Sequence, residues 1–216
     1  MENYKKNFDL LKKNNVYSEE MEHDACGVGL ISSTEGKKSR KVVEYGIEAL
    51  KAVWHRGAVD ADGKTGDGAG IHVEIPKDFF IEKIEVTGHT HDSSEICVGM
   101  IFLPRNDYAT QESCKTIVES ELTKNNFSIY GWRQVPVNPK VLGEKAFHTM
   151  PEIIQVLFKS NSSELLNKEL ERKIYETRRK IENKAFQISL NNFYICSFSS
   201  KSIIYKGMFL AEAISD

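Results

Sequence analysis

The run His23-Asp24-Ala25-Cys26-Gly27-Val28-Gly29-Leu30 sets a cysteine at the head of a short apolar, glycine-punctuated segment that ends in the turn formers Ser32 to Gly36. This pattern predicts a short β-strand with Cys26 in its first position. A cysteine so placed is a candidate nucleophile. If the chain is cut between Ala25 and Cys26, the new α-amine, with an unperturbed pKa of about 7.7–8.0, becomes a general base beside the thiol, and no separate histidine is needed. In the uncut chain that nitrogen is an amide and accepts no proton. The competing reading is a buried core thiol, the usual place of a free cysteine.

A second stretch of chemical character runs from His55 to Gly70, with five glycines and three aspartates. Glycine supplies positive φ and close backbone approach, and aspartate bonds nearby amides, so a tightly folded loop is expected, carrying Arg56 to a defined place. Ala58 to Thr65 matches a relaxed phosphate-loop pattern. The match is rejected, because Gly66, Gly68 and Gly70 follow where a helix must open, and Asp60 and Asp62 repel phosphate. His89, His91 and Asp92 have the chemistry of divalent-metal ligands but sit in a polar stretch, and no metal is assigned. Ser199, Ser200 and Ser202 lie near no Gly-x-Ser-x-Gly turn, which disfavours a serine hydrolase.

The elements that must position these residues follow from periodicity. Val43, Ile47, Leu50 and Trp54 give residues 39–55 one apolar helical face that should pack on a sheet. Residues 71–75 alternate like a strand, 77–95 read as mixed and largely loop, and 96–103 are apolar enough for a strand buried on both faces. A helix over 107–124 carries Cys114, Ile117, Val118 and Leu122 on one side. Residues 127–135 and 153–158 read as strands. A helix over 162–184 is lined by Leu166, Leu170, Ile174 and Ile181, with Asn161, Ser162 and Ser163 as candidate caps. Residues 193–198 and 203–205 read as strands paired around Ser199-Ser200-Lys201, and 208–216 are helical in pattern. The class is α+β.

The chain has 216 residues, a net charge of -2 and interleaved acidic and basic side chains, with a pI near 6.3. Nothing in it marks a nucleic-acid or anionic-membrane surface, so a small-molecule substrate is favoured. No apolar run is long enough to span a bilayer, residues 1–25 lack the apolar core of a secretory signal, and the cytoplasm is the expected compartment. Cys97, Cys114 and Cys196 form no C-x-x-C pair with one another or with Cys26 and read as reduced core residues.

Taken together, Glu22-His-Asp-Ala-Cys26-Gly-Val-Gly, His55-Arg-Gly-Ala, Asp62-Gly, Thr65-Gly-Asp-Gly-Ala-Gly-Ile71, Gly131-Trp-Arg-Gln-Val-Pro-Val-Asn138, Val141-Leu-Gly143, Glu169 to Ile181 and Ser199 to Gly207 resemble one family. It is the glutamine amidotransferase domain at the N-terminus of the glutamate synthase large subunit. The resemblance implies an Ntn-hydrolase fold, a four-layer αββα sandwich of two antiparallel sheets. It implies a leader, residues 1–25, removed to expose Cys26, and a domain running from 26 to 216 and beyond. The implied chemistry is attack of Cys26 on L-glutamine and release of ammonia for glutamate synthesis from 2-oxoglutarate. His55, Arg56 and Gly57 are expected to shape the glutamine pocket. The family's Arg-x-Ser-Thr and Asn-Gly-Glu segments should follow Gly207 and lie past Asp216, so the 216 residues alone are expected to be inactive. FMN and an iron-sulphur cluster are expected in the C-terminal part of the large subunit and none in this segment. The implied partners are the rest of that subunit and either a small NAD(P)H-oxidising subunit or ferredoxin. Two other readings stay open: a different Ntn-type amidohydrolase, and a non-catalytic fragment or interaction module.

Overall fold

The computed structural model describes residues 2–14, 26–53, 57–92, 95–162, 167–190 and 192–215. Among them six strands form two antiparallel sheets. Strands β1 (Ala69–Glu74), β2 (Cys97–Leu103), β3 (Phe127–Gln134), β4 (Glu152–Ser160), β5 (Tyr194–Ser199) and β6 (Ser202–Gly207) divide into a four-stranded sheet of order β3-β4-β2-β5 and a two-stranded sheet β1-β6. β2 and β4 are the inner strands, and β2, apolar almost throughout, is buried at six of its seven positions.

Helices α1 (Glu2–Lys13), α2 (Arg40–Ala52), α3 (Lys77–Val86), α4 (Tyr108–Lys124), α5 (Glu144–Thr149) and α6 (Asn167–Gln187) complete the regular structure. Asp107 caps α4 by accepting from Thr110 N–H at 3.0 Å, and Ser39 caps α2 through Lys41 N–H at 3.2 Å. Cys114, Val118 and Leu122 of α4 and Leu170, Ile174 and Ile181 of α6 bury one face of the four-stranded sheet, against Ile101, Val156 and Phe158. On the other face a second core joins Val98, Met100 and Leu157 to Phe80 and Ile84 of α3 and Ile203 of β6. The two-stranded sheet therefore stacks on the four-stranded one. α2 lies against β1, where a side chain on Gly46 would touch Ile71 Cδ1 at 3.6 Å. No helix among the described residues is long and apolar enough to cross a membrane.

Four expectations are corrected. Residues 26–33 form no strand; they are extended, with Val28 91% and Leu30 89% exposed and no ladder partner among the described residues. Residues 77–86 are a helix, because Phe80 and Ile84, four residues apart, share one buried face. Residues 144–149 form α5, where no element was expected. β5 and β6 do not pair with each other: β5 pairs with β2 and β6 with β1. The chain crosses between sheets there, and the Ser197 hydroxyl accepts from Ile204 N–H at 3.2 Å in place of a backbone carbonyl. The Asn161 side-chain carbonyl accepts from Ser128 Oγ at 2.6 Å, at the end of the β3-β4 ladder. Ser163 and Leu166 lie outside the described residues. The tail is 3₁₀-helical over Ala211–Ser215.

Candidate functional site

The glycine- and aspartate-rich stretch folds on itself as a closed loop. Its base is fastened by Ala58 N–H donating to Asp67 Oδ2 at 2.9 Å and by an antiparallel bridge between Val59 and Gly66. Asp60 N–H donates to the Thr65 carbonyl at 2.8 Å, and Gly63 N–H to the Asp60 carbonyl at 2.9 Å. Inside the turn, Asp62 accepts from the Thr65 hydroxyl at 2.6 Å, Thr65 N–H at 2.7 Å and Lys64 N–H at 2.9 Å. These bonds, the hydroxyl first, hold the Asp62 carboxyl well below the usual carboxylate range. Lys145 Nζ, 2.7 Å from Asp60 Oδ2, lowers that carboxyl too, first through the hydrogen bond and then with Ala61 N–H.

The loop is wedged between two walls. A Cβ on Gly143 would overlap Asp62 Oδ2 and Thr65 Oγ1 and stand 2.6 Å from Thr65 N. On the far side, a Cβ on Gly66 would stand 3.0 Å from the Phe209 carbonyl oxygen. Glycine at both positions is what lets the strands of chain approach so closely. Residues 67–70 then leave the loop along the wall of a cleft of about 1240 Å³ and enter β1. The cleft opens between the sheets, with Met100, Phe102 and Ile153 on one side and Ile204 and Tyr205 on the other. Its size exceeds the roughly 300–1,000 Å³ of a small-molecule pocket.

Cys26 is the exposed thiol of the four; Cys97, Cys114 and Cys196 are buried. Burial pushes the Cys114 thiol up to about 11, and raises Cys97 and Cys196 in the same direction. The core reading is therefore right for three cysteines and wrong for Cys26. Gly57 is exposed at the start of the loop, and Arg56, with His55 and Trp54, lies outside the described residues. Neither Cys26 nor Gly57 lines the cleft, so the structure does not bring the two together there.

The remaining candidates have other occupations. Asp92 accepts from Lys159 Nζ and, at 3.2 Å, from Tyr130 Oη, while His89 Nδ1 lies 3.0 Å from Thr87 Oγ1. Ser199 and Ser200 bond Glu171 of α6. Among the described residues no group of three or more His, Cys, Asp or Glu is set to hold a metal ion. The thiols do not fit an iron-sulphur cluster, which needs several on one centre: Cys97 and Cys114 share one core, Cys196 lies in the other and Cys26 is at the surface. Gly143 and Lys145, which fix the loop, were not singled out from the sequence as site residues. The one signal, for Gly143 alone, is the short Val141-Leu-Gly143 patch in the resemblance; Lys145 lies outside every patch of it.

A family model for Glutamine amidotransferases class-II matches residues 26–216, beginning at Cys26 itself. The chain is 52% identical over 212 residues to the glutamate synthase [NADPH] large chain of Azospirillum brasilense, covering 98% of this chain and 14% of that protein. It is 37% identical over 198 residues to the ferredoxin-dependent glutamate synthase of Antithamnion sp., covering 88% of this chain and 13% of that protein. With the ferredoxin-dependent glutamate synthase 1 of Arabidopsis thaliana it shares 39% over 195 residues, 89% of this chain and 12% of that protein. The chain thus spans only about one-seventh or less of these relatives' length.

Proposed function

This chain belongs to the class-II glutamine amidotransferases, and on that premise we propose that it is the glutaminase part of a glutamate synthase, with Cys26 as nucleophile. The observation that carries the proposal is the contrast among the thiols: three are buried, while Cys26 is exposed and is the residue at which the family match starts. Residues 1–25 act as a leader whose removal frees the α-amine of Cys26, and residues 26–216 belong to the amidotransferase domain.

In the reaction the free amine takes the thiol proton and the thiolate attacks the side-chain amide carbon of L-glutamine. The tetrahedral intermediate collapses with breakage of the C–N bond, the ammonium at residue 26 returns its proton to the leaving nitrogen, and ammonia departs. A γ-glutamyl thioester remains. Water, deprotonated by the same amine, cleaves it to L-glutamate and restores the thiol. Arg56 and Gly57 shape the glutamine pocket.

Once the leader is removed, residues 26–31, extended and unpaired among the described residues of the uncut chain, join a free edge of the two-stranded sheet as a strand, giving a four-layer αββα sandwich of the Ntn-hydrolase type. A two-stranded ribbon is marginal alone, and Val28 and Leu30, alternate and exposed, would gain cover in a ladder. Ammonia is passed to a synthase site elsewhere in a longer polypeptide, where FMN and the iron-sulphur cluster belong and 2-oxoglutarate becomes glutamate. Identity of 52% to the NADPH-named relative, against 37% and 39% to two ferredoxin-dependent ones, favours a small NAD(P)H-oxidising subunit over ferredoxin as electron source. The compartment is the cytoplasm.

The test is Cys26→Ala in the complete polypeptide. Glutamine-dependent glutamate formation should fall to background while formation from added ammonium salts persists. Retention of the glutamine-dependent reaction removes the proposal.

A further inference from the structure

We propose that Gly143 and Lys145 are positioning residues for the glutamine site: they seat the closed loop of residues 58–67 and thereby set the place of Gly57, at its start. The proposal rests on the amidotransferase reading above and extends it to a segment that no motif argument assigned a role. Gly143 ends the stretch after β3 and opens α5, and its missing side chain is the space that Asp62 and Thr65 occupy. Lys145, two residues on, holds Asp60 at 2.7 Å across a sequence separation of 85 residues.

The loop has little freedom to absorb a push. Thr65 is 3% exposed, its N–H and hydroxyl are both spent on Asp62, and Gly66 backs onto the Phe209 carbonyl. A displacement at the tip therefore moves the base, where Ala58 N–H is fastened to Asp67. One side of that base continues directly to Gly57, and the other runs along the cleft wall. Misplacement of a positioning group by about 1 Å can cost on the order of 100-fold in catalysis. The Lys145–Asp60 pair is solvent-exposed, with side chains 69% and 35% accessible. Such pairs add little to folding stability, so removing Lys145 loosens the loop while leaving the domain folded.

The experiment compares wild type, Gly143→Ala, Lys145→Met and Lys145→Arg in the complete polypeptide. Alkylation of Cys26 is followed with a diazoketone analogue of L-glutamine, as a function of its concentration, and with iodoacetamide, which needs no glutamine pocket. For Gly143→Ala the half-saturating concentration of the analogue should rise roughly 10-fold or more, with the iodoacetamide rate unchanged. Lys145→Met should show a smaller rise that Lys145→Arg reverses. If both Gly143→Ala and Lys145→Met saturate at the wild-type concentration, the positioning role is wrong. Should Gly143→Ala not fold, Lys145→Met and its arginine rescue decide alone. Absence of analogue labelling in the wild type itself overturns the amidotransferase reading, and the positioning role with it.

Discussion

Glu171, in the second turn of α6, accepts hydrogen bonds from both the N–H of Ser200, at 2.7 Å, and its hydroxyl, at 2.6 Å. Ser199 Oγ adds a third bond to the same carboxylate at 2.9 Å. The residues at which the chain leaves the four-stranded sheet for the two-stranded one are thus tied to a helix on the opposite face. Ser199 and Ser200 are buried, so their donors have no water to turn to. Glu171→Ala should cost about 2–3 kcal/mol, as hydrogen bonds to a charged group are lost and a buried N–H is left unpaired. Urea unfolding of the variant against wild type measures it.

The thiols should separate cleanly by reactivity. In the native protein near pH 7.5 a disulfide thiol reagent should react quickly with one equivalent of the four, and Cys26→Ala should abolish that fast phase. Cys97, Cys114 and Cys196 should appear only on unfolding, since each is buried and held protonated by desolvation.

The same burial gives a direction to alkaline stability. Cys114 titrates at about 11 in the folded chain, raised first by burial and then by the Asp107 charge, whereas an unfolded thiol titrates near pH 8.5. The unfolded chain therefore loses its proton first. Stability from this group is full below about pH 8.5 and is lost as pH rises towards about 11. Urea midpoints taken between pH 7.5 and 10.5 should fall, and fall less steeply in Cys114→Ala.

Phe158 should be the most costly aromatic to truncate in the first core. It is fully buried, meets Phe127 edge-on at 5.4 Å and stacks on Phe198 at 4.8 Å. Phe158→Ala should destabilise the fold by about 3–5 kcal/mol, read by thermal or chemical denaturation.

The sequence was most legible where one face alone is buried or where apolar residues run without interruption. Cys114, Val118 and Leu122 marked α4 by their spacing, and the run from Ile96 to Leu103 marked an inner strand. It misled at α3, where Phe79, Phe80 and Ile81 are consecutive apolar residues and blur the helical period. The pairing of β5 with β6 was the natural expectation for neighbouring strands, and it failed because the Ser197 hydroxyl and Glu171 redirect the chain at the turn. The closed loop was readable from its glycines and aspartates. Its seat was not, because Gly143 and Lys145 come from a different part of the chain and carry no local pattern of their own. Cys26 stood out by its neighbours, while its expected strand did not form among the described residues, since a strand is made by its partners as much as by its own alternation.

The most direct measurement is the intact mass and N-terminal sequence of the complete polypeptide, before and after treatment with the diazoketone analogue of L-glutamine. A mature chain that begins at Cys26 and gains one adduct on that residue is the expected result. A chain that keeps Met1 to Ala25 and leaves Cys26 unmodified contradicts the assignment of Cys26 as an amine-assisted nucleophile.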